Sequence, residues 1–354
     1  MNNIAVLGLG KVGTLIGVLL SEKFKVTGFD IRNPHYDIEL PFVVKRIDIG
    51  KLENIKIALE GIDAVISALP YYLNTHIVEI AHRKGIHYFD LTEDVKTMRH
   101  IEKLSKHSVS VLAPQCGLAP GFIGILGGDL ASQFDQLRDI ELRVGALPRY
   151  PNGQLAYSFT WSPAGVINEY LNDAEAIHNG ERKSVPSLDG FEYMNIEGQE
   201  YEAFTTSGGL GTMCSTFEGK VDTLNYKTIR YPGHGKLMRF LMYELVMKED
   251  LKKLEEILTT AKPPIDEDLV HVYAVVEGEV DGKMQRKEFF QTYLPIEIHG
   301  KAWRAISWTT AASLAAVVEM VASQTLPQKG FIKQEMISLS DFYATTNGSL
   351  LQPK

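Results

Sequence analysis

With 354 residues, 45% of them hydrophobic and 23% charged, the chain has the make-up of an ordinary globular protein and is long enough for two cores. Its net charge of −8 comes from 44 acids against 36 lysines and arginines, with no long basic run, which argues against nucleic acid and anionic membrane as partners. The two cysteines, Cys116 and Cys214, are too few for a disulfide framework or a cysteine-based zinc site, and the histidines lack metal-ligand spacing, so no metal is expected.

The opening Met1-Asn2-Asn3 runs straight into a strand and leaves no room for a secretory leader. No apolar run reads as long enough to span a bilayer, and a reducing cytoplasm is the expected setting. Residues Ile4 to Gly8 read as a buried strand that breaks at Gly8, and the apolar positions after Gly10 fall into helical spacing. This is the strand, tight turn and helix start of a dinucleotide site. Gly8 makes the turn, Gly10 lets the backbone approach the pyrophosphate, and Gly13 lets helix and strand pack closely, with Lys11 and Val12 in the same loop. A second strand, Lys25 to Asp30, ends in an acid about 20 residues past the first glycine, where the ribose hydroxyls lie. That carboxylate favours NAD over NADP, although Arg32 could pair with a 2′-phosphate. The competing reading is a glycine-rich turn that only packs a helix on a sheet.

A turn-rich segment follows through Pro34 and Pro41. The pattern then predicts strands over 42–48, 63–70, 87–91 and 109–114, and helices over 52–59, 74–84 and 98–106. Such alternation means a doubly wound parallel sheet of Rossmann type. Ser67, Ala68, Leu69 and Pro70, at the carboxyl end of the fourth strand, are expected to border the ribose or nicotinamide; the alternative is that Pro70 only ends a strand. Cys116 to Phe122 is a shaped turn before another helix, whose N-terminus could hold an anion or carbonyl.

From Ile140 the texture changes. Runs at 140–145, 157–161, 203–206, 221–224, 269–278 and 288–294 read as strands, with helices over 164–171, 236–245 and 252–259. They predict an α+β domain on a mostly antiparallel sheet with helices on one face. A late apolar helix, Trp308 to Ser323, is expected to be buried where the chain returns to the first domain. The expected division is a dinucleotide-binding domain of residues 1–115, rejoined by 309–354, and a substrate and dimerisation domain of 116–308.

Five motifs in this order carry a resemblance: Gly8-Leu9-Gly10-Lys11-Val12-Gly13, Cys116-Gly117-Leu118-Ala119-Pro120-Gly121, Trp161-Ser162-Pro163-Ala164-Gly165, Thr206-Ser207-Gly208-Gly209 and Arg230-Tyr231-Pro232-Gly233-His234. Together they resemble the saccharopine dehydrogenase-like family, and within it the chain is most similar to the lysine 6-dehydrogenase branch. The resemblance implies an NAD-dependent, homodimeric oxidoreductase that deaminates the side-chain amine of L-lysine to a semialdehyde, which cyclises. Ala119 departs from the pattern, because saccharopine-forming members usually carry a polar or acidic residue there, and the substrate stays open on that account.

Oxidising a carbon that bears nitrogen requires the ammonium to lose its proton first. The candidate catalytic groups are Asp90, at a strand end with Glu93 and Asp94 in the same loop, and His234, in a turn after Gly233 with a pKa suited to neutrality. Asp90 could instead cap the next helix, and His234 could be a surface or capping residue. Arg230 is expected to grip the α-carboxylate, the alternative being an ordinary surface ion pair, and Ser207, Gly208 and Gly209 to offer turn N–H groups unless they form a simple turn. Trp161 and Tyr231 are expected to wall the pocket, and Cys116 to pack beside the nicotinamide. Two other readings stand beside this one. A saccharopine-type or other amino-acid imine reductase would need further cations for a second dicarboxylic arm, and a non-catalytic dinucleotide sensor would need none of the later motifs.

Overall fold

A computed structural model describes residues 1–32 and 39–353; the expected turn around Pro34 lies outside the described residues. The chain divides into two compact units, one of residues 1–125, 297–302 and 307–354, the other of residues 126–296 and 303–306.

In the first unit, strands and helices alternate as β1 (Asn3–Leu7), α1 (Lys11–Leu20), β2 (Lys25–Asp30), β3 (Val43–Arg46), α2 (Leu52–Ala58), β4 (Ala64–Ser67), α3 (Asn74–Lys84), β5 (His87–Asp90), α4 (Val95–Ser105) and β6 (Val111–Ala113). The sheet runs β3-β2-β1-β4-β5-β6, every pair parallel. Ile4 to Leu7 and Ala64 to Ile66 are buried completely, as strands covered on both faces must be, which is why they read as continuous apolar runs. Strand order reverses between β1 and β4, and in open parallel sheets ligands bind beside the carboxyl ends of the strands at such a reversal. The chain passes from this unit to the second within α5 (Phe122–Ala131), between Ile125 and Leu126.

The second unit contains β7 (Gln136–Pro148), α6 (Pro163–Leu171), β8 (Ala174–His178), β9 (Glu181–Val185), β10 (Glu192–Ile196), β11 (Gln199–Thr205), α7 (Met213–Phe217), β12 (Thr223–Arg230), α8 (His234–Arg239), α9 (Leu251–Ala261), β13 (Asp268–Val280) and β14 (Lys283–Tyr293). Its eight-stranded sheet follows the path β10-β11-β12-β7-β13-β14, with β8 joined to β12 and β9. The pairs are antiparallel except β12 with β7, which makes the sheet mixed. Residues 157–161 are not the strand expected of them: they run irregularly, and Tyr157 and Phe159 pack with Val166, Tyr170, Phe204 and Met238. A short apolar run carries no periodicity that separates a strand from a core-filling loop.

The chain ends with a two-stranded ribbon, β15 (Ile296–Ile298) and β16 (Lys301–Trp303), then α10 (Ala305–Ala322), β17 (Gly330–Phe331) and α11 (Leu339–Tyr343). β17 pairs parallel with β6 and makes the first sheet seven-stranded. The expectation that no apolar run could span a bilayer is corrected by α10, whose 18 residues are long and apolar enough by composition. Burial explains that apolarity here, since 83% of the helix lies inside the protein.

Candidate functional site

The glycine turn has the shape a pyrophosphate needs. Gly8 sits at φ +90, and a Cβ there would lie 2.8 Å from the Ala68 carbonyl oxygen. A Cβ on Gly13 would fall 1.9 Å from the Gly8 oxygen, so α1 can approach β1 only through glycine. Gly10 differs, because a Cβ there would meet nothing within 4 Å. Gly10 and Lys11 are exposed and Val12 is half-buried. The N-terminus of α1 has no side-chain cap and no acid in its first turn, leaving N–H groups and the positive end of the helix dipole toward this open side. A dinucleotide phosphate fits that cradle.

Asp30 closes the turn from β2. One carboxylate oxygen accepts the Leu9 N–H at 2.8 Å and the other accepts the Arg32 N–H at 2.9 Å, which leaves lone pairs for ribose hydroxyls. At the end of β4, Ser67 is buried and donates to Asn74 Oδ1 at 2.7 Å, while Ala68 and Leu69 are half-buried and Pro70 is exposed. Ser67 is thus tied to the protein, and the three residues after it carry the accessible edge.

Asp90 ends β5 fully buried. Its carboxyl accepts from the Thr92 and Gln115 N–H groups, the Tyr88 hydroxyl and the Asn74 amide at 3.0, 2.9, 2.8 and 3.3 Å. Burial pushes its pKa up to about 6 against the pull of those donors. It does not cap the helix that follows: Asp94 does, accepting from Thr97 N at 2.8 Å. Asp90 is enclosed by its donors, so we find it fastening Asn74 and Gln115, which sits at φ 63, rather than facing open space. Among the three acids of this loop Glu93 alone is uncommitted. No side chain of the described residues hydrogen-bonds its half-buried carboxylate, and burial, then the charges of Asp94 and Asp90, raise its pKa against its own backbone N–H.

In the second unit, β12 ends at Arg230 and α8 begins at His234, so the Arg-Tyr-Pro-Gly-His motif joins a strand to a helix. Gly233 adopts φ 93, and the buried Glu202 of β11 accepts the N–H groups of Gly233 and Gly235 at 2.8 and 2.7 Å. Arg230 is 2% exposed. Its Nε donates to the Tyr170 hydroxyl at 2.9 Å, Nη1 donates to the Ile229 carbonyl at 2.9 Å, and the guanidinium carbon lies 4.9 Å from the Tyr157 ring centre. Among the described residues, no carboxylate comes within ion-pair distance of Arg230, and Nη2 has no hydrogen bond. The buried Glu169 acts on the guanidinium through its charge without pairing with it at contact distance, so Nη2 is left with a proton to donate.

The expectation that His234 titrates near neutrality is overturned. The ring is buried, and its pKa is lowered to about 3 by burial and by the Arg230 charge. Its Nδ1 lies 3.0 Å from the Leu155 carbonyl, which can only accept, so Nδ1 carries the proton and Nε2 accepts from the Tyr170 hydroxyl at 3.0 Å. Arg230, Tyr170, His234 and Leu155 therefore form one directed chain, in which neutral His234 orients Tyr170.

Other expected residues have partners of their own. Tyr231 stacks near Tyr201, at 5.2 Å between ring centres, and donates to the Pro148 carbonyl. The Ser207 N–H is spent on the Glu169 carbonyl at 3.0 Å, and Gly209 is pressed against the Tyr226 ring, so this turn is not the open donor row expected; Gly208 is half-buried at φ 88. The N-terminus expected at Phe122 is also occupied, because Phe122 and Ile123 donate to the Gly117 and Leu118 carbonyls. Cys116 is fully buried, donates to the Ala113 carbonyl at 3.1 Å and receives the Gln334 amide, with burial raising its thiol pKa. Trp161 is half-buried against Gly165, beside Tyr157. Tyr157, Tyr170, Asn74 and Glu202 escape a reading of the sequence, since nothing in one chain distinguishes them from core and cap residues.

Comparison with known proteins divides the chain between residues 113 and 117. Residues 4–113 match the family model of the saccharopine dehydrogenase NADP binding domain, and residues 117–350 that of the saccharopine dehydrogenase C-terminal domain. The chain belongs to the saccharopine dehydrogenase family. Residues 4–113 supply the nicotinamide dinucleotide-binding domain that the first of these family models describes. Rat mitochondrial alpha-aminoadipic semialdehyde synthase is 24% identical over 272 residues, 70% of this chain and 28% of that protein. The Arabidopsis thaliana synthase is 24% identical over 55% of this chain and 20% of its own length, so this chain spans less than a third of either relative. Among solved structures, apo saccharopine dehydrogenase (L-Glu forming) from Saccharomyces cerevisiae superposes with a TM-score of 0.72 at 15% identity, covering 97% of this chain and 96% of that one. The homospermidine synthase of Legionella pneumophila, solved with NAD, gives 0.68 at 15% identity, covering 98% and 89%. These likenesses establish the saccharopine dehydrogenase fold.

Proposed function

We propose that the protein is an NAD-dependent amino-acid dehydrogenase that oxidises the side-chain amine of L-lysine to a semialdehyde, which cyclises. The observation that carries this reading is Arg230, a buried guanidinium with an unused Nη2 and, among the described residues, no carboxylate at ion-pair distance, although the Glu169 charge acts on it. A substrate carboxylate would take the unused N–H. Arg143 and Arg304, the other buried arginines of the second unit, already have Glu192 and Asp266. One unpaired buried arginine suits an amino acid held by one carboxylate. The names of the relatives favour a second reading, a saccharopine-type dehydrogenase.

The dinucleotide, when bound, supplies the hydride acceptor. The chain supplies the phosphate cradle at Gly8, Gly10 and Gly13, the ribose acceptor Asp30, and the carboxylate anchor Arg230 held in place by Tyr170 and His234. Glu93 takes the ammonium proton in this reading, because its raised pKa brings a carboxylate closer to the range where proton transfer is effective. Glu93→Gln is expected to lower turnover about 100-fold and to abolish the acid limb of the pH–rate profile. An unchanged profile would return Glu93 to a structural role.

Asp30 distinguishes the cofactors. Asp30→Asn keeps an acceptor for the Leu9 N–H but removes the charge that repels a 2′-phosphate, so the ratio of NAD to NADP affinity should fall about tenfold in a dinucleotide titration. Equal changes for both would contradict the ribose contact. The function itself is tested by incubating the protein with NAD or NADP and lysine, ornithine, diaminopimelate or saccharopine, and following reduced nicotinamide. Turnover of lysine supports the proposal, turnover of saccharopine alone selects the second reading, and dinucleotide binding without any turnover leaves a sensor.

A further inference from the structure

Tyr157 is 1% exposed, and its hydroxyl has no hydrogen-bond partner. The indole N–H of Trp161 is the polar group that approaches it, but indole is only a donor, so the phenol proton has no acceptor even where the two meet. The ring of Tyr157 is fixed on three sides, with Phe159 edge-on at 5.3 Å, His234 at 5.0 Å and the Arg230 guanidinium carbon at 4.9 Å from its centre. Three residues further on, the Thr160 hydroxyl is also buried without a partner. Buried hydroxyls are normally bonded, and two orphans in one irregular segment need a cause.

We propose that the Tyr157 hydroxyl is a second ligand of the substrate carboxylate, donating to one oxygen while Arg230 Nη2 donates to the other. The inference rests on the reading that Arg230 receives a carboxylate, and it adds the residue that makes recognition specific for that group. One anion satisfies both observations: it accepts from the unused Nη2 of Arg230, on which Glu169 acts only through its charge, and it accepts the unclaimed phenol proton. Burial raises the pKa of Tyr157, so the hydroxyl keeps the proton it has to donate. The hydroxyl is closed off in the free protein, so the proposal entails that the half-buried Trp161 beside it gives way when the carboxylate enters.

The test compares an amino-acid substrate with its α-amide, using the wild type and Tyr157→Phe, which keeps the ring and loses only the hydroxyl. Calorimetric titration of both ligands gives affinity without turnover, and steady-state kinetics give KM and kcat. A hydrogen bond to a charged group predicts that Tyr157→Phe weakens the acid about 10- to 100-fold, mostly in KM, while changing the amide by less than about threefold. Equal loss for acid and amide assigns Tyr157 to structure and overturns the proposal, as does unchanged affinity for the acid. If the wild type binds the acid but turns nothing over, the dehydrogenase reading fails and the titration still decides Tyr157. If no α-amino acid of the panel binds the wild type better than its amide, the carboxylate site itself is rejected, and Tyr157 with it.

Discussion

Arg230→Gln is expected to lower kcat/KM for the amino-acid substrate by roughly 30- to several-thousand-fold, corresponding to the loss of about 2–5 kcal/mol when one partner of a buried charge pair is removed. The substitution deletes the charge that the substrate carboxylate would neutralise and the donor that holds the Tyr170 hydroxyl. Arg230→Lys should recover only part of the loss, because a lysine ammonium offers no planar fork and cannot bond Tyr170 and the carboxylate from fixed directions. Dinucleotide affinity should be unchanged in both variants, since Arg230 and the glycine turn belong to separate units. Steady-state kinetics with a parallel dinucleotide titration check this. A Gln variant within about threefold of wild type would mean that Arg230 holds no substrate.

The second large effect separates two glycines of one motif. Gly13→Ala places a Cβ 1.9 Å from the Gly8 carbonyl oxygen, a backbone atom that cannot step aside, so α1 must move off β1. Overpacking of this kind costs about 1–3 kcal/mol or more, and the melting temperature should fall together with dinucleotide affinity. Gly10→Ala meets no atom within 4 Å and has φ −69, which alanine adopts readily. Its stability should stay within about 1 kcal/mol of wild type, while the methyl group occupies the space the pyrophosphate needs and binding weakens by at least about tenfold. Thermal unfolding and dinucleotide titration of both variants distinguish packing from recognition. Loss of stability in Gly10→Ala with normal binding would contradict the assignment of that open side to a phosphate.

The first unit is legible in the sequence because its determinants are local. A buried parallel strand has to be apolar throughout, glycines mark the turns, and Asp30 falls at a fixed offset from them. The second unit is less legible because its determinants are pairings between distant segments. The Asn179-Gly180 turn between β8 and β9, with φ 54 and 77, is a two-residue hairpin signal visible in the sequence. It escapes notice because the flanking strands Ala174–His178 and Glu181–Val185 carry too many polar residues to show a clean alternation. Arg230 is legible as a candidate anion anchor from its motif, and its burial and unused Nη2 are what the structure adds. His234 is legible as a neighbour but not as a neutral one, because its protonation follows from burial, from the Arg230 charge and from the direction in which Tyr170 donates. Asp90, Asp94 and Glu93 look alike in sequence, and only their hydrogen bonds separate a fastener, a helix cap and a carboxylate that no side chain holds.

The most direct measurement is the stoichiometry of ammonium released against nicotinamide reduced when the purified protein is given lysine and NAD. Oxidative deamination predicts one ammonium for each reduced nicotinamide, with a cyclic imine as the carbon product. Nicotinamide reduction by saccharopine without ammonium, or no reduction with any of the amino acids, would contradict lysine oxidation.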